Sequence, residues 1–169
     1  MLKSPGHCLG LDALLATYPD AMFIVTHRDP VTVVASTCSL VNSLSGTFSD
    51  ADHQAYICQH WPEVLADLVG RVIEFRATAP ALDARFLDIP YRQLLAEPIG
   101  VARRVYDHIG SDFTPTVEAT MATYVAENPQ GKHGRHVYDL AELGLDRSEL
   151  EDRFSTYRSR YDVPSDAPR

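Results

Sequence analysis

Neither common glycine-rich phosphate loop, GxxxxGK[ST] or GxGxxG, occurs in the 169 residues. A nucleotide held on a single such loop is therefore excluded within this sequence. Cysteine is scarce: Cys8, Cys38 and Cys58 are widely spaced, and no CxxC occurs. That excludes a disulfide framework and points to reduced thiols, hence a cytoplasmic location. Positive charge is short as well, with 15 Lys and Arg against 23 Asp and Glu and a net charge of −8. Such a balance gives no electrostatic footprint for nucleic acid. Any bound anion must be held by a local cluster of bases. No apolar run approaches the ~20 residues of a membrane span. Pro5, Gly6 and His7 follow Met1 too closely for a signal peptide.

What is present is a set of short apolar runs alternating with long periodic ones. Leu2 to Ser4 reads as the tail of an extended segment, stopped by Pro5 and Gly6. Leu9, Leu11, Leu14 and Leu15 recur at helical spacing up to Tyr18-Pro19. Met22 to Thr26 reads as a buried strand. Asp29 before Pro30 is a cap followed by proline at the first helical position, opening a helix to about Leu44. A second helical region covers about Asp50 to Ala79, with Trp61-Pro62 as a kink or break. Arg85 to Ile89 is a second strand, followed by a helical turn over Tyr91–Leu95. Helices follow from Pro98 to Ile109, from Pro115 to about Glu127, and after Asp146. The last carries Leu150, Phe154 and Tyr157 on one face. This alternation predicts an α/β layer with a parallel sheet and flanking helices, helix-rich, as one domain over residues 1–163 with a flexible tail at 164–169.

The stretch "THRDPVTVVAS" carries the chemistry. In a parallel α/β sheet, ligands sit beyond the carboxyl ends of strands. Arg28 stands there, just before a helix whose N-terminal N–H groups favour an anion. Ser36 follows eight residues later, roughly 12 Å along a helix axis. A phosphate between them would take a bidentate bond from the guanidinium and one from the hydroxyl. Two simpler outcomes compete: Arg28 pairs with Asp29 or another carboxylate, or Ser36 bonds back to the carbonyl of Thr32. The letters His27-Arg28-Asp29 also match part of the protein-kinase catalytic loop. That motif needs Asn five residues after the aspartate, where this sequence has Val34. His53, His60 and Cys58 do not complete a closed zinc set.

"THRDPVTVVAS" resembles the 3′-phosphate-binding segment of sulfotransferases that use 3′-phosphoadenosine 5′-phosphosulfate (PAPS). "LKSPGHCLGLDALLATYPDA", "LDIPYRQLLAEPIGVARRVYDHIG" and "GKHGRHVYDLAELGLDRSELEDRFSTYRSRYDVP" resemble further segments of the bacterial branch, in the same order. The resemblance implies a P-loop-NTPase-like sulfotransferase fold, N-terminally truncated because the family's 5′-phosphosulfate loop is not matched. Carried over residue by residue, it assigns Arg28 and Ser36 to the 3′-phosphate and Tyr91 to the neighbourhood of the adenine. Lys132 and Arg135 fall in a basic loop closing on the same phosphate. Lys3 and His7 fall where the family has its catalytic lysine and histidine. Three residues separate that pair, against one in the better-studied branch, and Arg92-Gln93 replaces the usual Glu-Asp.

The reaction so implied is transfer of a sulfuryl group from PAPS, as co-substrate, to a hydroxyl of a small molecule, lipid or sugar. It needs no metal. Histidine suits the proton-accepting role near neutral pH, and lysine stabilises charge on the leaving phosphate. The competing expectation is an inactive sulfotransferase-like remnant that binds a nucleotide 3′-phosphate or a protein partner. A nucleotide kinase lacks its phosphate loop here. An open sheet edge beside Lys3 predicts aggregation or a homodimer.

Overall fold

The computed structural model describes residues 1–129 and 138–166. These residues form two compact units. One comprises 1–19, 28–80 and 138–166; the other comprises 20–27 and 81–129.

The first unit is helical. Ser4 caps a short 3₁₀ turn over Pro5–Leu9 by accepting from the Gly6 N–H, and α1 (Leu11–Thr17) follows. Helix α2 (Pro30–Ser45) begins as the sequence dictates, with Asp29 accepting from the Val31 N–H and Pro30 in the first turn. Helix α3 (Gln54–Thr78) runs 25 residues through Pro62 without a break. Proline removes only the bond to the Cys58 carbonyl, and the buried Pro62 ring keeps its place in the packing. Two short helices end the unit, α7 (Arg147–Arg153) and α8 (Ser155–Tyr161). The single terminal helix read from the sequence thus divides at Phe154, where φ −101° and ψ 11° leave helical geometry. Leu150, Phe154 and Tyr157 are nevertheless buried as expected. The core joins Val31, Val34 and Cys38 of α2 to Ile57 and Cys58 of α3 and to Leu150 and Phe154. Removing these apolar surfaces from water stabilises the unit by about 25 cal/mol per Å² buried.

The second unit holds the sheet. Strands β1 (Phe23–His27) and β2 (Phe86–Pro90) run parallel, in register Phe23 to Phe86 and His27 to Pro90. Phe23 and Phe86 stack with centroids 4.6 Å apart. Helices α4 (Tyr91–Ala96) and α5 (Pro98–His108) pack on β2, and α6 (Pro115–Glu127) packs on α5. Ile89 and Val101 are the most buried side chains. Burial along β1 alternates, with Ile24 and Thr26 exposed, so the expectation of a strand covered on both faces does not hold. Among the described residues the sheet has two strands. Leu2–Ser4 is not a strand, which removes the basis for an open sheet edge beside Lys3.

Candidate functional site

Arg28 follows the last residue of β1 in the chain, and Asp29 caps α2. Asp29 is buried, with 2% of its surface exposed. A buried carboxylate needs donors, and three converge on it. They are the Val31 N–H at 3.4 Å, the Thr32 hydroxyl at 3.1 Å and the Asp166 N–H at 3.1 Å. The simple alternative of an Arg28–Asp29 pair is not the arrangement among these contacts. Arg28 instead approaches a more distant carboxylate, with its Nε 3.6 Å from Asp166 Oδ2.

The chain after α8 makes contacts as far as Asp166, within the 164–169 stretch read from the sequence as a flexible tail. Asp162 adopts the left-handed conformation (φ 49°, ψ 46°), which Asp tolerates better than most residues, and turns the chain back. Arg158 donates to the Val163 carbonyl and to the Ser165 hydroxyl. The turn brings Asp166 over the start of α2.

Ser36 lies seven residues beyond Asp29. Seven residues is nearly two full turns, so both sit on one face of α2, about 10 Å apart along the axis. The Ser36 hydroxyl is 3.2 Å from the Tyr138 hydroxyl. It does not take the back-bond to the Thr32 carbonyl that helix geometry offers. The face thus carries the Asp29 cap at its start and a pair of hydroxyls two turns on, with Arg28 next to the cap in the chain.

Lys3 is exposed, ahead of the 3₁₀ turn. His7 is half-buried within that turn; its N–H donates to the Ser4 carbonyl, and its carbonyl accepts from Gly10. Tyr91 belongs to the second unit, half-buried, at the start of α4 directly after β2. Lys132 and Arg135 lie outside the described residues.

Three features escaped the sequence reading. Tyr138 and Asp166 are separated from their partners by 102 and 137 residues, and nothing local marks them. The third is a contact between His27 Nε2 and Asp88 Oδ1 at 2.8 Å, joining the last residue of β1 to the middle of β2. Only the register between the strands makes that pair visible. Of the other histidines among the described residues, His53 contacts the Ser49 hydroxyl at 2.9 Å, His60 stacks on Tyr56, and His108 Nε2 lies 3.1 Å from the Arg85 carbonyl. A cleft of about 630 Å³ opens between α3, residues 141–146 and α7. Asp52, Glu63, Glu142, Asp146 and Glu149 line it. That excess of carboxylates has the wrong sign for a phosphosulfate. Among the described residues no helix is long and apolar enough to cross a membrane.

A sequence model of the sulfotransferase family matches residues 1–115. The ω-hydroxy-β-dihydromenaquinone-9 sulfotransferase Stf3 of Mycobacterium bovis is 31% identical over 117 residues, which is 65% of this chain and 28% of that protein. The same figures hold for Stf3 of Mycobacterium tuberculosis. The crystal structure of sulfotransferase STF9 from Mycobacterium avium superposes with a TM-score of 0.81 at 29% identity, over 96% of this chain and 42% of that one. STF1 from M. tuberculosis H37Rv gives 0.72 at 32% identity, over 92% and 39%. The chain thus spans about a quarter of the length of the curated relatives.

Proposed function

Because the chain belongs to the sulfotransferase family, we propose that Arg28 and Ser36 bind the 3′-phosphate of PAPS and that the reaction served is sulfuryl transfer to a hydroxyl. The fold is the P-loop-NTPase-like α/β fold of those enzymes, represented by a helix-rich portion with a small parallel sheet. The observation that carries the assignment is the face of α2. A guanidinium at the helix start and an outward-held hydroxyl two turns along are the donor set a phosphate needs.

The residues present fit that group. Arg28 already faces an anion, the Asp166 carboxylate at 3.6 Å, which supports its reading as an anion ligand. The magnitudes favour exchange. An ion pair at 3.6 Å whose side chains are 38% and 29% exposed contributes about 0–1 kcal/mol. A charge-assisted hydrogen bond to a phosphate contributes about 1.5–3 kcal/mol. The comparison favours the ligand over this ion pair.

When bound, PAPS supplies a sulfuryl group on a good leaving phosphate. The chain's own residues do the rest. Arg28 and Ser36 fix the 3′ end, and Tyr91 is assigned to the adenine. Lys132 and Arg135 are assigned to the same phosphate. His7 takes the proton of the attacking hydroxyl, and Lys3 offsets charge growing on the leaving oxygen. These roles rest on the family resemblance. The acceptor we infer first is a lipid alcohol, as the name of the mycobacterial Stf3 relative suggests, ahead of other small molecules and sugars.

A second reading is supported by the absence of a GxxxxGK[ST] phosphate loop from the 169 residues. On that reading the chain holds a nucleotide 3′-phosphate without transferring anything. Both readings share one site, and calorimetry tests it. Arg28→Ala is expected to weaken adenosine 3′,5′-bisphosphate by about 1.5–3 kcal/mol, roughly ten- to a hundred-fold. Unchanged affinity in a folded variant rejects Arg28 as a ligand.

A further inference from the structure

Hydroxyls on the helices of this protein have a default partner. Thr17, Thr37, Thr78, Thr120 and Thr123 each donate to the carbonyl four residues back. Ser36 shares α2 with Thr37 and has the same choice. Its oxygen lies instead 3.2 Å from the phenol oxygen of Tyr138, half-buried and 102 residues away. Something other than local geometry therefore sets the direction of the Ser36 hydroxyl.

Counting protons shows what the pair can do. Two hydroxyls in contact hold two protons, and the bond between them uses one. A phenol is far more acidic than an aliphatic hydroxyl and is the better donor. Either oxygen can donate in this contact; the acidity favours Tyr138 as donor and Ser36 as acceptor, which leaves the Ser36 proton to be donated elsewhere. A serine bonded back to Thr32 would have spent that proton on the helix. The phenol also polarises the serine O–H and fixes its rotor, so less order has to be created when a ligand arrives.

We infer that Tyr138 is a positioning residue for the anion site on α2, holding the Ser36 hydroxyl outward so that it donates to a ligand phosphate. The inference rests on the reading of Arg28 and Ser36 as phosphate ligands, and goes beyond it by naming the group that sets the serine's direction. The ligand chemistry is a nucleotide phosphomonoester on the 3′ side. A purely packing role for the Tyr138 ring would affect all nucleotides alike, or none.

The test uses the full 169-residue chain and two probes, adenosine 3′,5′-bisphosphate and adenosine 5′-monophosphate, titrated calorimetrically. Tyr138→Phe removes one oxygen and keeps the ring. It is expected to weaken the bisphosphate three- to ten-fold and leave the monophosphate unchanged. Ser36→Ala is expected to lose at least as much. The double variant is expected to match Ser36→Ala alone, because the phenol acts through the serine. Wild-type affinity in Tyr138→Phe, equal losses for both nucleotides, or additive losses in the double variant would each overturn the inference. If Arg28→Ala and Ser36→Ala leave the bisphosphate affinity untouched, the 3′-phosphate reading itself falls and takes the inference with it. If they weaken it and Tyr138→Phe does not, the inference alone falls. A second arm needs no substitution. Tyrosine nitration of the wild-type chain, mapped by peptide mass spectrometry, should show Tyr138 protected by the bisphosphate and not by the monophosphate. Equal nitration under both contradicts the proposal.

Discussion

At the scale of single residues, the start of α2 is a contest among charges. Asp29 is held by three donors and belongs to the helix cap. Asp166 donates its backbone N–H to Asp29, and its carboxylate lies 3.6 Å from the Arg28 Nε. Asp166→Asn keeps the backbone bond and removes the competing charge. It should tighten adenosine 3′,5′-bisphosphate by up to about five-fold, the equivalent of a 0–1 kcal/mol surface pair. Competition binding against a fluorescent nucleotide reads this directly, and a weakened affinity would show that Asp166 helps rather than competes. The places of Arg28 just before α2 and of Ser36 within it were legible from the Asp29-Pro30 helix start. Tyr138 and Asp166 were not, because a contact across more than a hundred residues leaves no periodic trace. The direction of the Ser36 side chain was illegible for the same reason: the local rule predicts a bond to Thr32, and a distant phenol overrides it.

At the scale of elements, the beginnings of helices were the easiest feature to read and their interiors the hardest. Asp29-Pro30, Thr114-Pro115 and Asp146 each open a helix with the expected side-chain cap. Pro62 suggested an interruption of α3, but one missing N–H does not outweigh a 25-residue helix packed along much of its length. Asp29→Ala should cost about 1–2 kcal/mol in chemical denaturation, the upper range for a cap, since three donors lose their acceptor together. Asp29→Asn, which keeps an acceptor, should cost less; equal losses would argue against the capping account. The packing of α2 on α3 has its own signature in the thiols. Burial pushes the Cys38 thiol up from its ordinary 9.0 to about 12, and the adjoining Cys58 adds to the effect. The raised value favours the neutral folded form. Below pH 9 folded and unfolded chains hold the same proton, and no stability is lost through this group. Between about pH 9 and 12 the unfolded chain releases it and the folded chain does not, so stability falls as pH rises. Urea melts across that window should show the decline, and Cys38→Ser should flatten it. A slope as steep in the variant would place the titrating group elsewhere.

For the whole molecule, the alternation of short strands and long helices was enough to read an α/β architecture, and the family match agrees with it. The size of the sheet was not legible, since a strand declares its own length but not the number of its neighbours. The proposed 3′-phosphate ligands Arg28 and Ser36 lie in 169 residues that contain no GxxxxGK[ST] loop. Gripping one end of the donor does not align the sulfur with an acceptor, and each lost charge-stabilising donor costs of the order of 10²–10³-fold in comparable sites. The chain by itself should therefore bind nucleotide and show turnover near background with PAPS and a panel of lipid alcohols, phenols and sugars. Robust sulfation abolished by His7→Ala would show that these residues suffice.

The central claim is that the face of α2 recognises a 3′-phosphate, and one comparison addresses it without any assay of transfer. The affinity of the wild-type chain for adenosine 3′,5′-bisphosphate is measured against that for adenosine 5′-monophosphate, and both are measured again in Arg28→Ala. The account predicts a preference of at least ten-fold for the bisphosphate in the wild type and its collapse to near equality in the variant. Equal affinities in the wild type, or a preference that survives the loss of Arg28, would contradict it.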